Sequence, residues 1–89
     1  MVVPRKGATR PKVTVTHLQG QYLAFIEAYT TLHGVAPAEA DMQRHFDVSP
    51  PTVHQMVLAL ERAGLIRRQA RVARSIELLI PPELLPILR

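Results

Sequence analysis

Cysteine is absent from this 89-residue chain, which removes disulfides and thiolate metal sites at once. Tryptophan is absent too, and two tyrosines with two phenylalanines make up the whole aromatic complement. That scarcity argues against single-strand and RNA readers, which stack bases on surface rings. No apolar run is long enough to cross a bilayer, and the N-terminus lacks the apolar centre of a signal peptide. The expected location is therefore the cytoplasm, on the nucleoid, with no membrane partner. GxSxG, glycine-rich phosphate loops and cysteine nucleophiles are all missing. A domain this small could hardly hold a substrate pocket without losing its core, so neither catalysis nor a cofactor is expected. His17, His33, His45 and His54 fall in separate segments without HxxxH or HExxH spacing, which gives no metal site. Nothing points to a small-molecule effector.

What is present is organised around residues 49–66, SPPTVHQMVLALERAGLI. Ser49 carries an oxygen able to cap free backbone N–H groups, and Pro50 suits the first helical position, where its missing N–H costs nothing. Val53, Met56, Val57 and Leu60 recur at helical spacing and make one apolar stripe. Gly64 can take the left-handed conformation that ends the helix. Pro51, Thr52, His54 and Gln55 are left over near the front end. These are compact side chains, most with hydrogen-bonding tips, and they suit a DNA major groove.

Upstream, Thr16-His17-Leu18-Gln19 fits a capping box that opens a first helix. Leu18, Tyr22, Phe25, Ile26, Tyr29 and Leu32 give it an apolar stripe four turns long, and Gly34 ends it. A second helix is expected from about Ala38 to Phe46, buried through Met42 and Phe46. Asp47, Val48 and Ser49 then turn the chain into the third helix, which makes a helix-turn-helix. Beyond Gly64 the period changes to alternation. Residues 65–69 and 74–78 read as two strands, with Ile76 and Leu78 facing the core. The expected fold is mainly α with a small β-hairpin: a three-helix winged helix-turn-helix over residues 16–80. It is preceded by an irregular basic arm, residues 1–15, and followed by an apolar tail, residues 81–89.

The formal charge of +4 is unevenly divided. Residues 1–16 carry +4, residues 17–64 carry −3 and residues 65–80 carry +3. Arg67, Arg68, Arg71 and Arg74 crowd the hairpin and its tip, a density suited to phosphate contact. An arm and a hairpin gripping the backbone on either side of an inserted helix fit this distribution. A solvated basic surface explains the same charge, as does a disordered leader for the arm.

The ordering of these elements, together with SPPTVHQ, LALERAGLI and ARSIEL, resembles the N-terminal DNA-binding domain of LexA-type repressors from Leu18 to Leu79. The resemblance implies a winged helix-turn-helix that binds double-stranded DNA as a homodimer on a palindromic operator. By position it assigns base reading to Ser49, Pro51, Thr52, His54 and Gln55, and a backbone contact to Arg74. Four residues depart from the family pattern. Ala38 replaces a usual capping Thr, a change that costs roughly 1 kcal/mol. Gln43 stands at a usually small position, and Asp47 replaces a turn glycine but tolerates the left-handed region. Leu58 replaces a common Lys, which removes a possible phosphate contact and is expected to expose an apolar side chain. The family's repressors continue into a self-cleaving domain with a Ser–Lys pair. The chain stops at Arg89, so self-cleavage is not expected of it.

The tail is strongly apolar, and it is expected to pack on the first helix, its own or a partner's, and to help form a dimer; a tail that only folds over its own domain is the alternative. Two other functional classes stay open at this point. One is a winged-helix adaptor that docks an acidic protein through its wing, the other an architectural DNA-binding protein without an operator.

Overall fold

A computed structural model describes residues 15–89. The basic arm expected over residues 1–15 lies, all but Val15, outside the described residues. Val15 itself packs against the core.

Helix α1 runs His17–His33 and opens on a complete capping box. The Gln19 N–H donates to Thr16 Oγ1 and the Thr16 N–H donates to Gln19 Oε1, both at 3.0 Å. Gly34, at φ 76°, closes the helix with its N–H on Thr30 O. The expected stripe needs two corrections. Tyr22 and Ile26 are buried, but Leu18 is 50% and Leu32 78% exposed, because the ends of α1 run beyond the body that covers its middle. Leu23, Ala24 and Gln21 are buried instead. The cover of Gln21 comes in part from the tail. Gln21 Nε2 donates to Ile87 O at 2.9 Å, and the Arg89 N–H donates to Gln21 Oε1 at 2.8 Å. Pro86 lies over Gly20, where a Cβ would come within 3.0 Å of its ring. Leu23 and Ala24 follow Gly20 by three and four positions and so share its face. The tail therefore packs on its own α1, carried there by a 3-10 turn at Pro82–Leu84.

Helix α2, Glu39–Phe46, begins as the missing Thr at 38 leads one to expect, with no side-chain cap from Ala38. Asp41 supplies the other half of a box, its Oδ2 accepting the Ala38 N–H at 2.8 Å. Met42 is fully buried, and Phe46 stacks on Tyr22 with centroids 4.1 Å apart. Asp47 takes the left-handed conformation, φ 55°, that the tight turn requires.

Helix α3, Pro50–Arg62, buries Val53, Val57 and Leu60 completely and Met56 in part. Leu58, expected to be exposed, is half-buried. Ser49 makes no side-chain bond to the backbone. Pro51, at the second helical position, removes one of the two amides a cap would serve, and the Ser49 hydroxyl pairs with Thr52 Oγ1 at 2.9 Å instead. The C-terminus is a Schellman motif: the Leu65 N–H donates to Leu60 O and the Gly64 N–H to Glu61 O, both at 3.0 Å, with Gly64 at φ 76°.

Strands β1, Ile66–Arg67, and β2, Glu77–Leu78, pair antiparallel with Ile66 opposite Leu78 and Arg67 opposite Glu77. They are shorter than the expected five-residue strands for a local reason. Arg74, expected to open the second strand, has positive φ, 59°, as does Arg71 in the loop, 66°, and neither conformation is extended. Ser75 Oγ accepts the Gln69 N–H at 2.9 Å and lies 2.8 Å from Val72 O, so a side chain closes the loop that a ladder would otherwise close. Ile76 and Leu78 pack on the core, and Ile80, assigned to no element in advance, is buried beside them. Three helices with this hairpin form a winged helix-turn-helix.

Candidate nucleic-acid interface

The forward end of α3 is open. Ser49, Pro50, Pro51, Thr52, His54 and Gln55 are all exposed, while Val53, Met56 and Val57 on the opposite side anchor the helix. An α-helix fits the major groove, and side chains on its first two turns are those that reach base edges. Of the five candidate readers, Gln55 forms no side-chain hydrogen bond among the described residues. Ser49 and Thr52 bond to each other, and Pro51 has no polar tip. His54 is held from the neighbouring helix, its Nδ1 lying 3.3 and 3.2 Å from the two carboxylate oxygens of Glu39.

The four wing arginines, alike in sequence, differ in their surroundings. Arg74 points back into the domain. Its Nη1 lies 3.1 Å from Asp41 Oδ2, 3.1 Å from Tyr29 Oη and 3.2 Å from Ala36 O, and its guanidinium is 5.8 Å from the Tyr29 ring centre. Arg67 pairs with Glu77, its partner across the ladder, at 2.6 Å. Arg68 is largely covered, with its Nε 3.3 Å from Glu61 Oε1 but misaligned for a hydrogen bond. Arg71, at the wing tip, is exposed and forms no ion pair among the described residues. Between the wing and the front of α3 lies a groove of about 430 Å³, lined by Glu39, His54, Arg71, Val72, Arg74 and Ile76 among others.

Asp41 ties these parts together. It accepts the Ala38 N–H at the start of α2, pairs with Arg44 one turn on, and receives Arg74 from the wing. The Ala38 N–H above all, then the Arg74 and Arg44 charges, hold its carboxyl below the usual carboxylate range against the opposing effect of burial. The hydrogen bond and charge of Arg67 similarly lower Glu77. Neither acid was a candidate functional residue from sequence. An Ala-x-x-Asp at a helix start is a local sign of the Asp41–Ala38 bond, but its reach to Arg74 depends on how the wing folds back.

A helix-turn-helix with an exposed front end and a hairpin beside it defines the winged-helix class of nucleic-acid-binding domains. The LexA DNA binding domain family matches residues 13–75, and the chain belongs to that family. Similar proteins include the LexA repressors of Thermosipho africanus (strain TCF52B), 38% identical over 73 residues, and of Thermosipho melanesiensis (strain DSM 12029 / CIP 104789 / BI429), 38% identical over 64 residues. The LexA repressor of Petrotoga mobilis (strain DSM 10674 / SJ95) is 36% identical over 66 residues. These matches take in 82%, 72% and 73% of this chain but 37%, 32% and 32% of the relatives, so the chain spans about a third of their length.

Proposed function

We propose that this chain is a sequence-specific binder of double-stranded DNA that acts as a transcriptional regulator. The observation that carries the reading is the polar front of α3, exposed as a unit while the rest of the helix is buried. In this reading Thr52, His54 and Gln55 read base edges, Ser49 and Pro51 make close contact, and Arg71 grips a phosphate from the wing. Gln55 matches the paired acceptor and donor of adenine. Arg67, Arg68 and Arg74 each have a partner within the domain. Their role is chiefly to shape the wing, and the phosphate role implied for Arg74 passes to Arg71. Two copies occupy the two halves of an inverted repeat, each keeping its tail on its own α1.

The same internal pairing weakens the adaptor alternative, since a wing with most of its charge engaged offers little to an acidic protein. The exposed polar tips on α3 favour site recognition over architectural coating.

Binding of a labelled duplex across a salt series, with random duplex as competitor, tests the reading. Gln55→Ala is expected to relax preference at one base position by about 1–3 kcal/mol while leaving affinity for random duplex unchanged. Arg71→Ala is expected to weaken binding to every sequence and to flatten the slope of log K against log salt by about 0.9. If Arg71→Ala left that slope intact, the phosphate contact would lie elsewhere.

A further inference from the structure

The Glu39–His54 contact joins the first turn of α2 to the reading face of α3. A carboxylate can only accept a hydrogen bond, so the ring nitrogen facing it, Nδ1, must carry a hydrogen. In the neutral imidazole that leaves Nε2 without one, an acceptor on the far edge of a half-exposed ring. A histidine free in solvent offers either nitrogen as donor and so has no fixed preference for a base. One whose tautomer is set by a neighbour presents a single hydrogen-bonding character.

We propose that Glu39 is a specificity-determining positioning residue, which fixes His54 as an Nε2 acceptor for a base that presents an exocyclic amine in the major groove. Adenine N6 and cytosine N4 are such groups, whereas guanine O6 and N7 and thymine O4 only accept. Glu39 itself makes no base contact in this arrangement. It acts through the ring, and the inference rests on the duplex-binding reading above.

The test uses the whole chain at about pH 8, above the ordinary histidine range, and compares Glu39→Ala, Glu39→Gln and His54→Ala. Ring ¹⁵N shifts report the His54 tautomer without DNA, and a panel of single-base variants of a selected site reports preference. Wild type is expected to show Nδ1–H. Glu39→Ala is expected to shift the ring toward Nε2–H and to lose about 5- to 100-fold of discrimination at one base pair, the same pair affected by His54→Ala. Glu39→Gln, whose amide oxygen can still accept from Nδ1, is expected to retain both. An unchanged tautomer in Glu39→Ala overturns the proposal. So does equal loss of preference in the Ala and Gln variants, which would mean that the carboxylate touches the base itself. A wild-type chain that binds no duplex defeats the proposed function instead, and the ¹⁵N measurement separates that outcome from failure of the tautomer.

Discussion

Replacing Leu23 with alanine should destabilise the domain by about 2–5 kcal/mol, the range for opening a cavity at a fully buried leucine. Leu23 has no exposed surface, and it lies on the α1 face that includes Gly20, which Pro86 covers. The void would open inside the core cluster that Leu23 shares with Tyr22, Ile26 and Met42, and rigid helical backbone on one side limits collapse into it. In a domain of this size the loss corresponds to a fall in melting temperature on the order of 10–30 °C. Thermal melts followed by circular dichroism would show it. A change within a few degrees would mean that Leu23 is not a core residue in solution.

Asp41→Ala is the second large effect, with an expected loss of about 2–3 kcal/mol. It removes the only side-chain acceptor for the Ala38 N–H among the described residues and leaves Arg44 and Arg74 without their carboxylate. Part of the charge-pair loss is recovered because both arginines can turn to water. Asp41→Asn keeps an oxygen for the Ala38 N–H and should cost about 1 kcal/mol. The pH dependence has a definite sign. The Asp41 carboxyl is lowered in the folded chain, so its contribution is present above the unfolded value near 4 and is lost as pH falls through the folded one. The wild-type melting temperature should therefore fall more steeply than that of Asp41→Ala as pH drops below about 4. Glu77 acts with the same sign, but it is retained in both proteins. Loss of Asp41 also frees the wing, which amide exchange at Leu79, whose N–H donates to Leu65 O, would register as faster exchange.

The helix-turn-helix was legible in the sequence because its signals are local. Thr16 with Gln19, Pro50 at a helix start, Gly64 at its end and the stripe from Val53 to Leu60 each act within a turn or two of chain. The residues that local pattern does not capture include those whose environment comes from far along the chain. Gln21 is buried with help from residues more than sixty positions away, and periodicity on α1 alone cannot register that cover. Leu18 and Leu32 fit the helical period but lie toward the ends of α1, where they stay 50% and 78% exposed. The second strand is shorter than its pattern suggests because positive φ at Arg74 leaves no trace in an alternating pattern.

The candidate site divides the same way. Exposure of Thr52, His54 and Gln55 follows from helical phase once Val53 and Val57 are taken as core. The four wing arginines, in contrast, are indistinguishable by composition. Arg67 finds Glu77 only through the strand register, and Arg74 finds Asp41 only because the wing folds back on α2. Glu39 carries no local sign of its contact with His54, because that contact crosses the turn between two helices.

The front of α3 as a reader of base edges is tested most directly by selecting bound duplexes from a random pool with the whole chain and sequencing what is retained. A short motif, repeated with inverted symmetry, should be enriched over successive rounds and should lose definition at one position when the selection is repeated with Gln55→Ala. A pool that is retained on the protein yet stays random in sequence would contradict it.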